Sequence, residues 1–446
     1  MPESTTSTGW RKENKHPSLS ESFSSIPIPK RGGFWKKIFA FTGPGLLIAV
    51  GYMDPGNWAT DISGGAQFGY TLLSVILISN LFAILLQHLA IKLGVVAERD
   101  LAQACRDHYP PALNFILWIL CEIAISACDL AEVIGSALAL NLLFGLPMAY
   151  GVAITALDVL IILFFQYKGF RYIEAVVAAL ILTISICFGF EIINSQPDIL
   201  PMLKGLIPKP EIITDSRLLY IAVGILGATV MPHNLYLHSS LIQTRNYPRN
   251  MKGKKMAIKY ATIDSTWALF LAFFINSAIL IVSAATFHKT GYTEVSDITE
   301  AYELLTPLIG STLASSLFAI ALLASGQNST LTGTLSGQIV MEGFINIRLK
   351  PWIRRLITRL IAIIPAMAVA IIYGEKGTTD LLVLSQVILS LQLSFAIVPL
   401  INFTNDRQKM GSFANGFPLK LLAWTIAIII ITLNVFLLYD ILRQAK

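Results

Sequence analysis

The stretch Gly51-Tyr52-Met53-Asp54-Pro55-Gly56-Asn57 lies in the middle of the first long apolar segment of the chain. Proline has no backbone N–H and collides with the preceding helical turn, so it breaks or kinks a helix. The break leaves carbonyl groups without a helical partner, and in lipid such groups persist only where they line a cavity or bind something. We therefore predict that the first membrane segment is a discontinuous helix with a binding function at its centre.

A second stretch, Gly227-Ala228-Thr229-Val230-Met231-Pro232-His233-Asn234, repeats this pattern in a later apolar segment. Each stretch has an unusual side chain before its proline, Asp54 or Met231, and an asparagine two residues after it, Asn57 or Asn234. Two interrupted segments at corresponding positions in the two halves of a chain are the best sequence indication of a transporter's binding site. The repeat therefore predicts a site between the two breaks, near the middle of the membrane.

The composition indicates a protein of the lipid bilayer with many spans. Of the 446 residues, 54% are hydrophobic and only 13% are charged, with a formal net charge of +6, whereas soluble domains carry about 25% charged residues. The lysines and arginines lie in short loops between apolar runs, which argues against nucleic acid as a partner. The composition fits a bacterial inner (plasma) membrane and an organellar membrane alike, and we expect a monomer in the bacterial one.

About eleven apolar segments are long enough to cross a hydrocarbon core of about 30 Å, which requires about 20 residues per helix. Residues 1–37 precede them, are rich in Ser, Thr and Lys, and are predicted to form a disordered cytosolic tail. Residues 38–446 are predicted to form a single transmembrane transport domain. The predicted spans are 40–68, 71–95, 112–143, 148–166, 172–193, 217–242, 258–287, 307–345, 355–373, 379–402 and 418–442.

The distribution of basic residues predicts the orientation. One side of the predicted topology holds Lys168 and Arg171, the run from Arg245 to Lys259, and Arg354 with Arg355, whereas the other side holds few cations. Because basic residues accumulate on the cytosolic side, the N-terminus is predicted to be cytosolic. An odd number of spans then places the C-terminus outside.

The distance between the two breaks divides the chain into halves. Asp54 and Met231 are 177 residues apart, so segments one to five and six to ten are predicted to be the two repeats. Five is an odd number, and the halves must therefore have opposite topology, which is the inverted-repeat arrangement. Segment eleven lies outside the repeat.

The residues at the breaks indicate a cation site. Asp54 is costly near the bilayer centre unless it faces a cation or carries a proton, although it could instead cap the second half of its broken helix. Asn57 offers an amide oxygen one turn away, and the break beside Pro232 can free the carbonyl of Ala228. Oxygen ligands alone suit Mg²⁺, Ca²⁺ or Na⁺.

Met231 changes the expected cargo. A thioether is a soft ligand and suits transition metals better than alkaline earths. A methionine in a membrane helix usually only packs against its neighbours, but this one precedes the proline of a break that mirrors Asp54. That position favours a role as a ligand.

Two histidines follow the second break. His233 and His238 are five residues apart, so they do not share one helical face. Each could relay a proton or bind a metal, and each could equally form a hydrogen bond across the helix bundle.

Three acids on segment three could form a proton path. Glu122, Asp129 and Glu132 are spaced seven and three residues apart, so they share one helical stripe. Arg354 and Arg355 at the start of segment nine are candidate partners. The functional hypothesis is a path from the site through these acids to the cytosol, and the alternative is a static ion-pair network.

Amides and cysteines are weaker signals. Each amide in an apolar segment could be an outer ligand or gate contact, but interhelical hydrogen bonds use the same residues. These amides are Gln87, Asn276, Gln386 and Gln392.

The cysteines show neither a metal-binding spacing nor a disulfide framework and are interpreted as small core residues. They are Cys105, Cys121, Cys128 and Cys187.

These motifs resemble those of the Nramp family of proton-coupled divalent metal transporters. The resemblance rests on Asp54-Pro55-Gly56-Asn57, on Met231-Pro232-His233-Asn234 with His238-Ser239 following, and on Asp129-Leu130-Ala131-Glu132-Val133-Ile134-Gly135. It covers essentially the whole chain after the tail. It implies an all-α, polytopic, LeuT-like fold with two inverted five-helix repeats, an eleventh helix, and discontinuous helices 1 and 6.

The resemblance also implies an activity and its residues. It implies import of Mn²⁺ or Fe²⁺ with H⁺ by alternating access, with discrimination against Ca²⁺ and Mg²⁺ and no permanently bound cofactor. It assigns the metal to Asp54, Asn57, Met231 and the carbonyl of Ala228. Asn276 and either Gln386 or Gln392 could join the metal in other states. The proton-linked set that it implies is Asp54, His233, His238, Glu122, Asp129 and Glu132, with Arg354 and Arg355 at its end.

Two other classes of function compete with this reading. A sodium-coupled transporter of small organic solutes could use the same fold, but Asp54 would repel a substrate carboxylate at the first break. An intramembrane metalloenzyme would need a ligand motif such as HExxH, which the sequence lacks. We therefore do not expect an enzyme.

Overall fold

The computed structural model describes residues 10, 17–20, 22–29, 33–155, 157, 170–295, 297–311, 313–347, 350–372 and 374–444. Helices dominate these residues, and one pair of two-residue strands, β1 (Ile26–Pro27) and β2 (Arg245–Asn246), accompanies them. The helices are α1 (Phe34–Phe41), α2 (Pro44–Gly51), α3 (Pro55–Phe68), α4 (Leu73–Ala97), α5 (Leu101–His108), α6 (Pro111–Phe144), α7 (Met148–Thr155), α8 (Phe170–Ser195), α9 (Ile199–Gly205), α10 (Glu211–Thr214), α11 (Ser216–Thr229), α12 (Pro232–Leu241), α13 (Met251–Thr286), α14 (Ile298–Ile309), α15 (Ala314–Ile345), α16 (Pro351–Ile372), α17 (Gly374–Asn405), α18 (Arg407–Met410) and α19 (Phe417–Gln444). Short 3₁₀ turns follow α3, α12, α13 and α18 at Gly69–Leu72, Ile242–Thr244, His288–Thr290 and Gly411–Phe413.

Several of these helices can cross a membrane. Among the described residues, 7 helical stretches are long and apolar enough to do so by length and composition. They are Pro55–Ala97, Pro111–Phe144, Phe170–Ser195, Ser216–Thr244, Met251–Thr290, Asp380–Asn405 and Phe417–Arg443. The count of eleven crossings stays a prediction, and residues 156 and 158–166 of predicted segment four lie outside the described residues.

Both predicted discontinuities are present. The first segment is divided into α2 and α3, and the sixth into α11 and α12, with each second half beginning at a proline. The half-helix α3 packs against α11, α2 packs against α12, and α13 packs against both α2 and α3. The two breaks therefore face each other inside the bundle.

Two helix starts differ from the prediction for local reasons. Helix α13 begins at Met251 rather than at residue 258, because the side chain of Asn250 accepts the N–H of Gly253 at 2.8 Å and caps about two additional lysine-rich turns. Helix α15 begins at Ala314 rather than at residue 307, because Gly310 has φ 75° and ends the separate helix α14.

The N-terminal end of α2 is fixed by buried polar contacts. Arg245, which is fully buried, donates from Nη2 to Glu174 Oε1 and to the carbonyl of Thr42, both at 2.8 Å. The carboxylate of Asp264 accepts the N–H of Gly45 at 2.8 Å. These contacts hold the first half-helix against α8 and α13.

Part of the predicted disordered tail is packed against the domain. Leu19, Ile26 and Ile28 are buried, and β1 pairs in parallel with β2. The N–H of Leu19 donates to Glu342 Oε2 at 3.3 Å. Three apolar side chains of the tail therefore pack on the domain, which the polar average composition of the tail conceals. The disorder of residues 1–37 stays a prediction. The domain boundary at residue 38 stays a prediction.

Candidate metal-binding site

The first break places a buried carboxylate at a helix start. Asp54 is the N-cap of α3, with extended backbone angles of φ −70° and ψ 165°. Its Oδ1 accepts the backbone N–H of Asn57 at 2.9 Å and the Asn57 amide at 2.6 Å. Its Oδ2 has no hydrogen-bond partner among the described residues, and Asp54 is 0% exposed. Capping therefore occupies one carboxylate oxygen and leaves the other available to a cation.

The second break exposes a carbonyl and a thioether. Met231 is the N-cap of α12, with φ −69° and ψ 125°, and Pro232 follows it. Because Pro232 has no N–H, the carbonyl of Ala228 lacks its helical partner. That carbonyl instead accepts the side-chain amide of Asn57 at 3.3 Å. The amide of Asn57 thus connects the two breaks.

Two further amides adjoin the first break. Asn276 on α13 donates to the carbonyl of Tyr52 at 2.7 Å and approaches Asn57 Oδ1 at 3.4 Å. Gln386 on α17 lies against Gly56 so closely that a Cβ at that position would overlap its amide group. The structure therefore brings Asn276 and Gln386 to the break.

The other candidate glutamine lies apart from this contact. Gln392 is six residues further along α17, which corresponds to about 9 Å along a helix axis. Its amide is buried and makes no hydrogen bond within the part of the chain that the structure describes. Of the two glutamines, Gln386 is the one placed to reach a ligand at Asp54.

The site contains buried acceptors that need a partner. Asp54 Oδ2, Asn276 Oδ1 and Gln386 Oε1 are each buried without a hydrogen bond from any described residue. Most buried polar atoms in native proteins have a partner. Across the described ranges, no group of three or more His, Cys, Asp or Glu side chains is placed to hold a metal ion. A cation at the breaks would therefore be held by a carboxylate, amides, a carbonyl and a thioether.

The two histidines connect to different neighbours. His238 Nδ1 lies 2.9 Å from Gln87 Oε1, and the Gln87 amide donates to Tyr52 Oη at 2.9 Å. His233 Nε2 lies 3.9 Å from Cys128 Sγ on α6. Neither Tyr52 nor Cys128 was predicted to adjoin the site, although Tyr52 is two residues from Asp54 and Cys128 is next to Asp129.

The acids of α6 separate into a pair and a distant member. Asp129 and Glu132 both lie against Gly333 of α15, where a Cβ would be 3.2 Å from Asp129 Oδ1 and 2.8 Å from Glu132 Oε1. Ser329 Oγ donates to Glu132 Oε1 at 3.0 Å. Glu122 lies further toward the start of α6 and accepts Trp118 Nε1 at 3.0 Å.

The remaining members of the predicted proton path are basic. Arg354 and Arg355 belong to α16, but their side chains lie outside the described residues. Their pairing with the acids of α6 stays a prediction.

Comparison with known proteins identifies relatives over nearly the full length. Residues 45–440 match the family model Nramp, natural resistance-associated macrophage protein-like. The chain is 61% identical over 434 residues to the divalent metal cation transporter MntH of Listeria monocytogenes, covering 97% of each chain.

Solved structures agree with this match. The manganese transporter of Eremococcus coleocola superposes with a TM-score of 0.88 at 44% identity, covering 96% of this chain and 91% of that chain. MhsT, solved with L-phenylalanine, superposes with a TM-score of 0.59 at 14% identity, covering 90% of this chain and 97% of that chain. The likeness to MhsT concerns the fold alone, and it confirms the predicted LeuT-like class. The resemblance found in the sequence is confirmed as well: the chain belongs to the Nramp family.

Proposed function

We propose that this protein is a secondary transporter that imports divalent transition metal ions, Mn²⁺ and Fe²⁺ among them, together with H⁺. One observation carries the proposal: a carboxylate and a thioether stand at two facing helix breaks, and the amide of Asn57 joins these breaks. Relatives named as divalent metal cation and manganese transporters support this choice of cargo.

Each ligand has a distinct task. Asp54 supplies negative charge through Oδ2, and Ala228 supplies a backbone carbonyl. Asn57 supplies an amide oxygen once its hydrogen bond to that carbonyl is replaced by contacts to the ion. Met231 supplies sulfur. The oxygens of Asn276 and Gln386 complete the shell in other states of the transport cycle.

The selectivity follows from the mixture of ligands. Ca²⁺ and Mg²⁺ prefer shells made entirely of oxygen, whereas borderline transition metals accept a soft sulfur ligand. At this site Met231 occupies a place where a hard ion would need oxygen. The sulfur of Met231, rather than additional negative charge, therefore provides the discrimination against Ca²⁺ and Mg²⁺.

Alternating access uses the half-helices on either side of the ion. Helices α2 and α12 close the inner side, and α3 with α11 closes the outer side. In this arrangement the N-terminus is cytosolic, the C-terminus is outside, and the protein acts as a monomer in the plasma membrane with no bound cofactor.

Protons travel by a route beside the metal. They pass between Asp54 and the cytosol along the acids of α6, with the two histidines beside the site and basic side chains at the inner end. The full set is Asp54, His233, His238, Glu122, Asp129, Glu132, Arg354 and Arg355. Support for this route comes from the contact between Cys128 and His233 and from the pairing of Asp129 with Glu132 at Gly333.

Uptake by proteoliposomes tests the proposal. Purified protein should carry Mn²⁺ into vesicles, faster with an inward H⁺ gradient than without one, and a large excess of Ca²⁺ or Mg²⁺ should inhibit weakly. Vesicles without protein are the control. Uptake no faster than in that control would contradict the cargo, and equal rates with and without the gradient would contradict the coupling.

A further inference from the structure

A second sulfur atom lies beside the candidate thioether ligand. Cys128 on α6 is 1% exposed and belongs to one buried cluster with Ala124, Met231 and Leu389. The sequence pattern places this cysteine among ordinary core residues, since nothing in its spacing suggests a ligand. Its position in the folded protein differs from that of Cys187, which packs on α8 away from Met231.

The polar contacts of Cys128 leave its sulfur able to bind. Its thiol is placed to donate to Glu132 Oε1, with 3.7 Å between sulfur and oxygen. The thiol group has one weak donor and a sulfur that accepts weakly. The sulfur also lies 3.9 Å from His233 Nε2. Because cysteine binds a metal ion as the thiolate, the thiol would pass its proton to Glu132 Oε1, which it already faces, and the sulfur would then be free to bind the ion.

Independent groups indicate that a ligand occupies this region. Asp54 Oδ2 and Gln386 Oε1 are fully buried and accept no hydrogen bond from the described residues. Met231, at the facing break, is buried in the same small cluster as Cys128. Cys128 therefore lies near buried acceptor oxygens that a bound cation would satisfy.

We propose that Cys128 sets the order of preference among divalent cargo ions, by adding a second soft donor beside Met231. Soft sulfur ligands favour thiophilic ions. With two sulfurs at one face, the site favours Cd²⁺ over Mn²⁺ more strongly than a site with the thioether alone. This inference rests on the proposed metal-transport function of the same site.

Replacement of the sulfur by oxygen is the sharpest test. The substitution Cys128→Ser keeps the shape of the side chain and its hydrogen bond to Glu132 but removes the soft donor. The quantity to measure is the Cd²⁺ concentration that halves Mn²⁺ uptake into proteoliposomes, divided by the KM for Mn²⁺. We expect this ratio to rise by about tenfold, because changes to a group next to a metal shell alter affinity on that scale. Cys187→Ser is the matched control and should leave this ratio as in the unmodified protein.

The outcomes separate the selectivity role from packing. An unchanged ratio in Cys128→Ser, or an equal change in Cys187→Ser, would overturn the proposal. If Cys128→Ser folds but does not transport, calorimetric titration of the purified protein decides: Cd²⁺ binding should weaken more than Mn²⁺ binding, and equal weakening would overturn the proposal.

The same titration distinguishes this inference from the proposed function. If the unmodified protein binds Cd²⁺ through Cys128 but carries no Mn²⁺ into vesicles, the proposed function fails while the assignment of the sulfur stands. If Mn²⁺ is transported and Cd²⁺ affinity does not depend on Cys128, the function stands and the inference fails.

Discussion

The two helix breaks share one backbone arrangement but carry side chains of different chemistry. Both end a half-helix, place an N-cap residue in extended conformation, and resume at a proline. Asp54 caps its helix with one carboxylate oxygen, whereas Met231 has no side chain that can cap. The first break therefore contributes charge and the second contributes a freed carbonyl and sulfur, so neither alone is a complete site.

The asparagines that follow the prolines reach across in opposite directions. Asn57 donates to the carbonyl of Ala228 in the second break. Asn234 lies against Gly51, the equivalent position in the first break, but its amide has no hydrogen-bond partner in the described ranges. The two breaks are thus related by pseudo-symmetry in the backbone, but only Asn57 forms a hydrogen bond to the opposite break.

The largest expected effect comes from removing the charge at the first break. In Asp54→Asn the amide can still cap α3, because Asn and Asp are equally good N-caps. We expect Mn²⁺ uptake to fall by about 100-fold or more, since even changes next to a metal shell lower affinity by about 10- to 100-fold. Uptake is measured in proteoliposomes.

The control keeps the same substitution at another helix start. Asp215 is the exposed N-cap of α11 and accepts the N–H groups of Arg217 and Leu218. Asp215→Asn should transport normally. Near-normal uptake by Asp54→Asn would show that its carboxylate serves only as a cap.

Removing the sulfur at the second break should change selectivity more than rate. Met231→Ala is expected to retain part of the Mn²⁺ uptake and to become sensitive to Ca²⁺ at concentrations lower by about tenfold, equivalent to about 1.4 kcal/mol. Competition by Ca²⁺ measures this directly. Met341→Ala, a buried methionine of α15, is the control, and an identical Ca²⁺ response in both variants would argue against thioether discrimination.

The asparagines test whether the asymmetry between the breaks is functional. Asn57→Ala should raise the KM for Mn²⁺ by about tenfold, because a ligand is lost. Asn234→Ala should change it much less, because no hydrogen bond of that amide is lost. Equal effects on KM would mean that both asparagines bind cargo and that the comparison of the breaks is wrong.

The smallest effect on metal binding is expected at the acids of α6. Glu132→Gln should reduce metal-dependent acidification of the vesicle lumen while Mn²⁺ binding stays close to normal. Glu191→Gln is a suitable control, because Glu191 is a buried acid of α8 whose oxygens accept no hydrogen bond from the described residues. Parallel loss of acidification and of binding in Glu132→Gln would favour a static structural role for this carboxylate.

The breaks and the side chains beside them could be predicted from sequence because each depends on local chemistry, whereas the role of those side chains as ligands stays a prediction. Proline fixes where a helix is interrupted, and the residues beside Pro55 and Pro232 are necessarily close to the freed carbonyls. The stripe of acids on segment three follows from helical periodicity. The comparisons confirm the family and fold class that these motifs indicated.

What the sequence could not provide depends on how helices pack. Gln386 and Gln392 lie in one uninterrupted apolar helix, and only the close approach of Gly56 selects Gln386. The small cluster that contains Cys128 and Met231 brings together residues more than one hundred positions apart. The packing of Leu19 and Ile26 was concealed because composition averages over a polar tail.

X-ray absorption at the manganese edge on purified, Mn²⁺-loaded protein tests most directly whether both breaks bind one ion. We predict a shell of oxygen or nitrogen neighbours together with a sulfur contribution that is smaller in Met231→Ala than in the unmodified protein and unchanged in Met341→Ala. A spectrum of the unmodified protein that contains only oxygen and nitrogen neighbours would contradict it.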